Sequence, residues 1–149
     1  MDKKICLVSS SGGHYEQLYC LKPLFNEYKG FIVTEKTEFS NKADYFVTRA
    51  GLGENGLFLH TLRLFWEVHE ICKKEKPDFV ITTGTYISLP FLIYCKINRK
   101  KFIYIETFAR VTNTTKAGKF MYRFADLFIY QWEQLKEFYP NGIYGGSIY

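Results

Sequence analysis

Ile5-Cys6-Leu7-Val8-Ser9-Ser10-Ser11-Gly12-Gly13-His14 is the stretch from which the fold of this chain is read. Four uncharged apolar residues predict a buried strand, and the serines and paired glycines after them predict a turn that opens onto a helix. Consecutive glycines let a backbone approach an anion. The unsatisfied N–H groups at a helix start point outward, and the helix dipole adds positive potential there. His14 places a titratable group beside that position. On the glycine pair alone, a bare strand-to-helix turn and a phosphate-binding loop are both open readings.

Working outward, runs rich in β-branched and aromatic residues recur at Ile5–Val8, Phe31–Thr34, Tyr45–Thr48, Phe79–Thr83, Phe102–Ile105 and Leu127–Tyr130. Segments of helical period lie between several of them: His14–Phe25, Leu57–Lys74, Ile87–Lys96, Lys116–Ala125 and Gln131–Tyr139. This alternation predicts βαβ units and a parallel sheet, in which ligands bind where strands turn into helices at their carboxyl ends. No repeat or linker interrupts the 149 residues, so the chain reads as one domain over 1–149. Arg49–Gly56, with Gly51, Gly53 and Gly56, reads as a flexible loop. The last residues, 140–149, stay apolar to the terminus, where a frayed tail would be polar. That end is expected to be buried against its own sheet edge or a partner chain.

Composition narrows the function classes. With 47% hydrophobic residues the chain can bury an ordinary core, and 19% aromatic residues exceed what that core requires, so some rings are expected on a surface. A formal net charge of +5 favours anionic partners, phosphates or acidic headgroups, without suggesting a nucleic-acid-coating protein. Cys6, Cys20, Cys72 and Cys95 follow no C-x-x-C spacing and are expected to be reduced core thiols. The first residues lack the long apolar region of a signal peptide, and the longest apolar stretch, Tyr86 to Ile97, is far short of the roughly 20 residues that span a bilayer. A cytosolic chain with at most peripheral membrane contact is the expectation.

Two more polar segments follow strands. Thr82-Thr83-Gly84-Thr85-Tyr86-Ile87-Ser88-Leu89-Pro90 offers hydroxyls and a glycine that either cap a helix or receive a phosphate. Glu106-Thr107-Phe108-Ala109-Arg110-Val111-Thr112-Asn113-Thr114 offers a carboxylate, an arginine and several hydrogen-bonding side chains. His14, His60 and His69 stand in no metal-ligand spacing, G-x-S-x-G is absent, and the first loop lacks G-x-G-x-x-G. Metal, serine-hydrolase and nicotinamide chemistry are therefore disfavoured. Asn113-Thr114-Thr115 matches a glycosylation acceptor by chance in a cytosolic chain. Lys96, Arg99, Lys100 and Lys101 form one basic cluster, and Lys116, Lys119 and Arg123 recur at helical spacing beside aromatic residues. Both suit either a solvated face or a surface resting on anionic lipid.

Together, Ser10-Ser11-Gly12-Gly13-His14, Gly84-Thr85-Tyr86-Ile87-Ser88-Leu89-Pro90, Ile105-Glu106 with Thr112-Asn113, and Arg123-Phe124-Ala125-Asp126 resemble the acceptor-side half of GT-B glycosyltransferases. The likeness is strongest to the PssD/CpsF subunits of bacterial exopolysaccharide and capsule synthesis. It extends to the corresponding subunit of the split eukaryotic enzyme that adds the second N-acetylglucosamine to the dolichol-linked precursor, and more distantly to the amino-terminal half of MurG. The resemblance implies a Rossmann-like three-layer α/β domain with a mostly parallel sheet, equivalent to the N-terminal half of a GT-B enzyme.

It also implies a two-chain enzyme on the inner face of the cell membrane. This half would meet a polyprenyl-diphosphate-linked sugar, and a second glycosyltransferase subunit would carry the nucleotide-sugar site. Transfer from a UDP-sugar would be inverting, with no cofactor, no metal and no nucleic acid. His14 is the implied general base, and Glu106 would orient the acceptor sugar or His14. Ser11, Gly12, Gly13, Gly84, Thr85, Tyr86, Ser88, Arg110 and Asn113 would hold the acceptor and its diphosphate. Lys96, Arg99, Lys100, Lys101, Lys116 and Lys119 would meet the membrane, and Ile143, Tyr144, Ile148 and Tyr149 the partner. Two other classes stay open: a non-catalytic module that recruits a partner glycosyltransferase to the membrane, and a self-sufficient Rossmann-like nucleotide-binding enzyme.

Overall fold

The computed structural model describes residues 3–38, 42–49 and 57–149. Among these residues, seven strands form one sheet: β1 (Lys4–Ser9), β2 (Lys29–Glu35), β3 (Tyr45–Val47), β4 (Phe79–Thr82), β5 (Lys101–Ile105), β6 (Leu127–Tyr130) and β7 (Ile143–Tyr144). Their order is β3-β2-β1-β4-β5-β6-β7, and every pairing is parallel. The helices are α1 (Gly13–Tyr19), α2 (Leu57–Glu75), α3 (Ser88–Ile97) and α4 (Lys116–Phe124). The chain runs outward from β1 through β2 to β3, returns by α2 to β4 on the other side of β1, and runs outward again to β7. The topological switch lies between β1 and β4, where a doubly wound sheet opens a crevice at its carboxyl edge.

The two-residue strand period distributes the core between two faces. Cys6, Val8, Val80, Phe102 and Phe128 pack with Leu64 and Val68 of α2, Phe91 of α3 and Met121 of α4. Ile5, Leu7, Ile32, Ile81 and Ile105 pack with Tyr15 and Leu18 of α1. Helices thus cover both faces, giving the Rossmann-like three-layer arrangement, and the central strands are apolar on both sides, as parallel strands must be.

At the amino edge, one device recurs three times. Asp44, Asp78 and Asp126 each stand one residue before a strand and accept, through a carboxylate oxygen, the backbone N–H of the neighbouring strand: Ile32 at 2.8 Å, Lys4 at 3.1 Å and Phe102 at 2.9 Å. Each aspartate also donates its own N–H to the carbonyl of that same residue. The register is thereby pinned at the edge away from the switch point.

Two expected helices are shorter. The segment His14–Phe25 is helical only to Tyr19, then forms a 3-10 turn over Lys22–Asn26 that carries Pro23, whose ring and missing N–H cannot continue an α-helix. Gln131–Tyr139 holds only a 3-10 turn at Glu133–Glu137. Trp132 is extended because its indole N–H donates to the Phe108 carbonyl at 2.7 Å. Of the loop expected at Arg49–Gly56, residues 50–56 lie outside the described residues. Cys6, Cys72 and Cys95 are buried free thiols, and burial pushes Cys72 and Cys95 up to about 12, but Cys20 is exposed, correcting its expected core position.

The C-terminal end uses its own sheet edge. Ile143 and Tyr144 pair with Ile129 and Tyr130, Gly145 donates its N–H to the Tyr130 carbonyl at 2.9 Å, and Ile148 packs on the α1-side cluster. The side chains of Ile143, Tyr144 and Tyr149 nonetheless remain more than half exposed.

Candidate functional site at the sheet switch point

The loop after β1 and the loop after β4 are laced together where the sheet reverses. Ser10 donates its N–H to the Gly84 carbonyl at 3.0 Å, and the Ser10 and Thr85 hydroxyls lie 3.1 Å apart. His14 Nδ1 is 2.7 Å from the Thr83 carbonyl, while the Thr83 hydroxyl donates to the His14 carbonyl at 2.7 Å. A carbonyl oxygen only accepts, so Nδ1 carries the hydrogen. In the neutral ring the lone pair then resides on Nε2, and His14 is held as a proton acceptor at that nitrogen.

Glycine is required at two points here. Gly12 has φ +80° and precedes α1, and a side-chain carbon at Gly12 or Gly13 would meet nothing within 4 Å, so open space lies in front of both. Gly84 has φ +105°, and a Cβ there would stand 3.3 Å from the Tyr104 hydroxyl and 3.4 Å from the His14 ring. The second loop is stiffened from within: the Thr82 hydroxyl receives the Gly84 N–H at 3.0 Å and lies 2.7 Å from the Ser88 hydroxyl. Ser88 is fully buried, so it braces the loop and cannot take the ligand contact expected of it. Ser11 is half-buried, Thr85 keeps partial exposure, and Tyr86, exposed, bonds through its hydroxyl to Thr61 of α2 at 2.8 Å.

The third expected residue group divides. Glu106 has no exposed surface: Tyr139 donates its hydroxyl to Oε2 at 2.6 Å, Thr107 its N–H to Oε1 at 3.0 Å, and the Thr115 hydroxyl stands 3.4 Å from both oxygens. Burial first, and then the Glu106 carboxyl, raise Tyr139 well above the ordinary phenol value, which keeps it a donor. This corrects the expected role of Glu106 beside the acceptor or His14: the carboxyl is consumed in joining the end of β5 to α4 and the Glu133–Glu137 turn. Arg110 and Asn113 lie exposed on the same loop and bond to one another at 3.1 Å.

The basic residues do not form one surface. Lys96, Arg99, Lys100 and Lys101 lie at the amino edge, opposite the switch-point loops, and three are ion-paired: Lys100 with Asp78 at 2.9 Å, Lys96 and Lys101 with Asp126 at 3.4 and 3.6 Å. Asp78 and Asp126 thus offset part of the positive charge of this cluster, which lies on the side of the sheet away from the switch-point loops. Lys116 and Lys119 instead sit exposed at the loop-side start of α4, whose Phe120 and Phe124 are also half exposed.

Two features were not located by the sequence reading. Gln17 and Gln131 are buried at 5% and 3% exposure and bond to each other at 3.0 Å beneath the third loop. Phe58, Leu59, Leu62 and Trp66 are 73%, 69%, 50% and 64% exposed on the loop-side half of α2. They share about 100° of helix arc. Helical period alone marks this segment as amphipathic without saying that its outer face is apolar too.

Comparison with known proteins places this architecture. Solved structures of similar fold include a UDP-N-acetylglucosamine 2-epimerase from Rickettsia bellii (TM-score 0.74, 19% identity, 99% of this chain and 46% of that one). MurG of Acinetobacter baumannii also matches (TM-score 0.68, 14% identity, 87% and 41%). In both, this chain corresponds to less than half of the solved protein, and at these identities the likeness concerns the fold. Among curated proteins, the human UDP-N-acetylglucosamine transferase subunit ALG14 is 31% identical over 94 residues, covering 59% of this chain and 44% of that protein. The subunit of the same name from Yarrowia lipolytica is 31% identical over 85 residues, covering 53% and 39%. The match thus spans less than half the length of these curated relatives. The family model described as oligosaccharide biosynthesis protein Alg14 like matches residues 56–148, which include the second and third loops, α4 and the C-terminal strand. By that match the chain belongs to the Alg14-like family of oligosaccharide biosynthesis proteins.

Proposed function

We propose that this chain is the acceptor-binding, membrane-associating subunit of a two-chain inverting glycosyltransferase, which moves a sugar from a UDP-sugar to a polyprenyl-diphosphate-linked sugar in capsule or exopolysaccharide synthesis. The observation that carries the reading is the His14 geometry at the switch point: Nδ1 is anchored on Thr83, and Nε2 is free to take a proton beside the open ground before Gly12 and Gly13. Acceptor diphosphate would lie against the Gly12–Gly13 backbone and Thr85, with Gly84 shaping the loop from beneath and Ser11, Tyr86, Arg110 and Asn113 at the rim. His14 Nε2 would remove the proton from the acceptor hydroxyl as its oxygen bonds to the anomeric carbon of the donor, and UDP would leave with the bonding pair of the broken C–O bond. The family membership and the subunit names of the relatives support the division of labour, with the nucleotide-sugar site on a second chain.

Membrane contact would come from the α2 face and Tyr86, flanked by Lys116 and Lys119 on α4. No helix among the described residues is long and apolar enough to cross a membrane. The partner would meet the exposed Ile143, Tyr144 and Tyr149 on the open edge of β7, and Ile148 would seat that segment.

The test is a reconstituted assay of this chain with its donor-binding chain, using UDP-N-acetylglucosamine and a short-chain polyprenyl-diphosphate-linked N-acetylglucosamine. The complex is expected to turn over and the isolated chain to be inert. Replacing His14 by Ala should lower kcat by about 10²–10⁴-fold with vesicle binding intact. Near-wild-type turnover of that variant would remove the base assignment and favour a recruitment module. Tight calorimetric binding of UDP-N-acetylglucosamine to the isolated chain would point to the self-sufficient enzyme.

A further inference from the structure

Two buried side-chain amides join the helix that carries His14 to the C-terminal segment. Gln17 stands one turn after His14 on the seven-residue α1. Its Oε1 accepts the Phe108 N–H at 2.9 Å and the Gln131 Nε2–H at 3.0 Å, and its own Nε2 is 3.4 Å from the Thr107 hydroxyl. Gln131 donates a second hydrogen to the Glu106 carbonyl at 2.9 Å, and its Oε1 accepts the N–H of Ile148 at 2.9 Å. Apolar contacts follow the same route: Ile148 packs on the cluster that contains Tyr15 and Leu18 of α1, and the Tyr149 ring meets Phe108 edge-on at 5.3 Å.

A glutamine pair in a core position is costly unless every polar atom is satisfied, so the pair has a defined geometry only while each link is made. If Ile148 leaves its seat, Gln131 Oε1 loses its donor and the amide, now 3% exposed, is uncovered on that side. The amide must then reorient, and its bond to Gln17 goes with it. Gln17 Oε1 is left with the Phe108 N–H and its Nε2 with the long contact to Thr107, and α1, too short to be rigid by itself, loses one of its fastenings on the face one turn from His14.

We propose that Gln17 and Gln131 are positioning residues that couple the seating of Ile148 and Tyr149 to the placement of His14. This rests on the reading above, in which residues 143–149 meet the second chain. Docking of that chain on the exposed Ile143, Tyr144 and Tyr149 holds Ile148 down, and the amide pair transmits this to the proton acceptor. Activity only in the complex is then a property of the acceptor side as well as of the missing donor site.

The test is nitrogen and proton NMR of the full chain labelled at histidine, with His14 assigned through His14→Gln. His14 is expected to show the Nδ1–H tautomer. Gln131→Met, Gln17→Met and a chain ending at Ser147 should each shift the His14 ring signals by more than a linewidth, with His60 and His69 unmoved. Combining Gln131→Met with the shortened chain should add no further shift, because both break one path. Gln134→Met, on the exposed turn beside it, should leave His14 unchanged. His14 signals that hold still in the shortened chain, or shifts that simply add, would overturn the coupling. If Gln131→Met fails to fold, the shortened chain, lacking only two residues, decides. Unmoved signals in a chain whose complex transfers sugar remove the coupling and leave the transferase reading. Shifted signals in a chain whose complex is inert leave the coupling and remove that reading.

Discussion

Gly118 stands where α4 passes the buried Glu106 carboxyl, and a Cβ on it would overlap Oε2 while pressing to 2.7 Å from the Tyr139 hydroxyl and 2.8 Å from the Thr115 hydroxyl. The carboxyl cannot yield, because Tyr139, Thr115 and the Thr107 N–H hold it. Ala is a better helix former than Gly by about 1 kcal/mol, yet breaking the Tyr139 bond and leaving a buried carboxyl oxygen unpaired costs about 1–3 kcal/mol, with the displaced helix in addition. Gly118→Ala should therefore be net destabilising by about 2 kcal/mol, read in a urea titration as a lower midpoint with unchanged slope. An unchanged midpoint would mean that α4 is not fixed by this carboxyl. The glycine and the glutamate are both visible in the sequence, but their meeting is not. A carboxylate after a strand reads as chemistry until the tyrosine that consumes it, far along the chain, is placed beside it. Gly12, Gly84 and His14 were legible because their setting is local: a strand end, a tight turn and a helix start within a few residues.

Among the elements, the parallel strands were the most readable, because burial on both faces turns each into a short apolar run rich in β-branched and aromatic residues, set apart from the equally apolar α3 by its length and composition. Less legible are the pieces whose form depends on distant partners: Trp132, drawn out by the Phe108 carbonyl, and β7, a two-residue strand paired on the edge that β6 offers. The aspartates at the amino edge belong to this second class, although each sits visibly before a strand. Asp78 is the best example. The Lys100 ammonium and then the Lys4 N–H hold its carboxyl below the ordinary aspartate range. A carboxyl lowered in the folded state contributes stability that is complete above its unfolded value and is lost as pH falls through its folded one. Asp78→Asn should cost about 1–2 kcal/mol near neutral pH. The gap between variant and native chain should begin to narrow as pH falls below about 4, the ordinary aspartate value, and close as the native carboxyl takes up its proton at the lower pH of its folded state. Thermal unfolding followed from pH 7 down to pH 2 measures both, and a gap that does not narrow anywhere in that range would assign the loss to packing instead of charge.

At the scale of the molecule, the sheet separates two kinds of surface. The amino edge is a lattice of ion pairs, in which Lys100, Lys96 and Lys101 neutralise Asp78 and Asp126, whereas the carboxyl edge gathers the loops, the start of α4 and the apolar half of α2. An acceptor with a polyprenyl tail requires its diphosphate site within reach of the bilayer, and Tyr86 bridges the second loop directly to Thr61 of α2. Phe58, Leu59, Leu62 and Trp66 would then dip into the interfacial region while the site faces the headgroups, an arrangement suited to an aromatic and aliphatic stripe. Exposed side chains contribute little to folding, so Leu62→Ser with Trp66→Ser should leave the unfolding midpoint almost unchanged. Removing their insertion should weaken binding by about 2 kcal/mol, more than tenfold in partition on vesicles of phosphatidylcholine and phosphatidylglycerol. Lys96→Glu and Lys101→Glu, at the far edge, should change that partition far less, whereas Lys116→Glu with Lys119→Glu should weaken it in a salt-dependent way by about 1 kcal/mol per charge. The opposite ranking, with the α2 variant binding normally and the Lys96 and Lys101 variants released, would turn the molecule over on the membrane and carry the switch-point loops away from any lipid-linked acceptor.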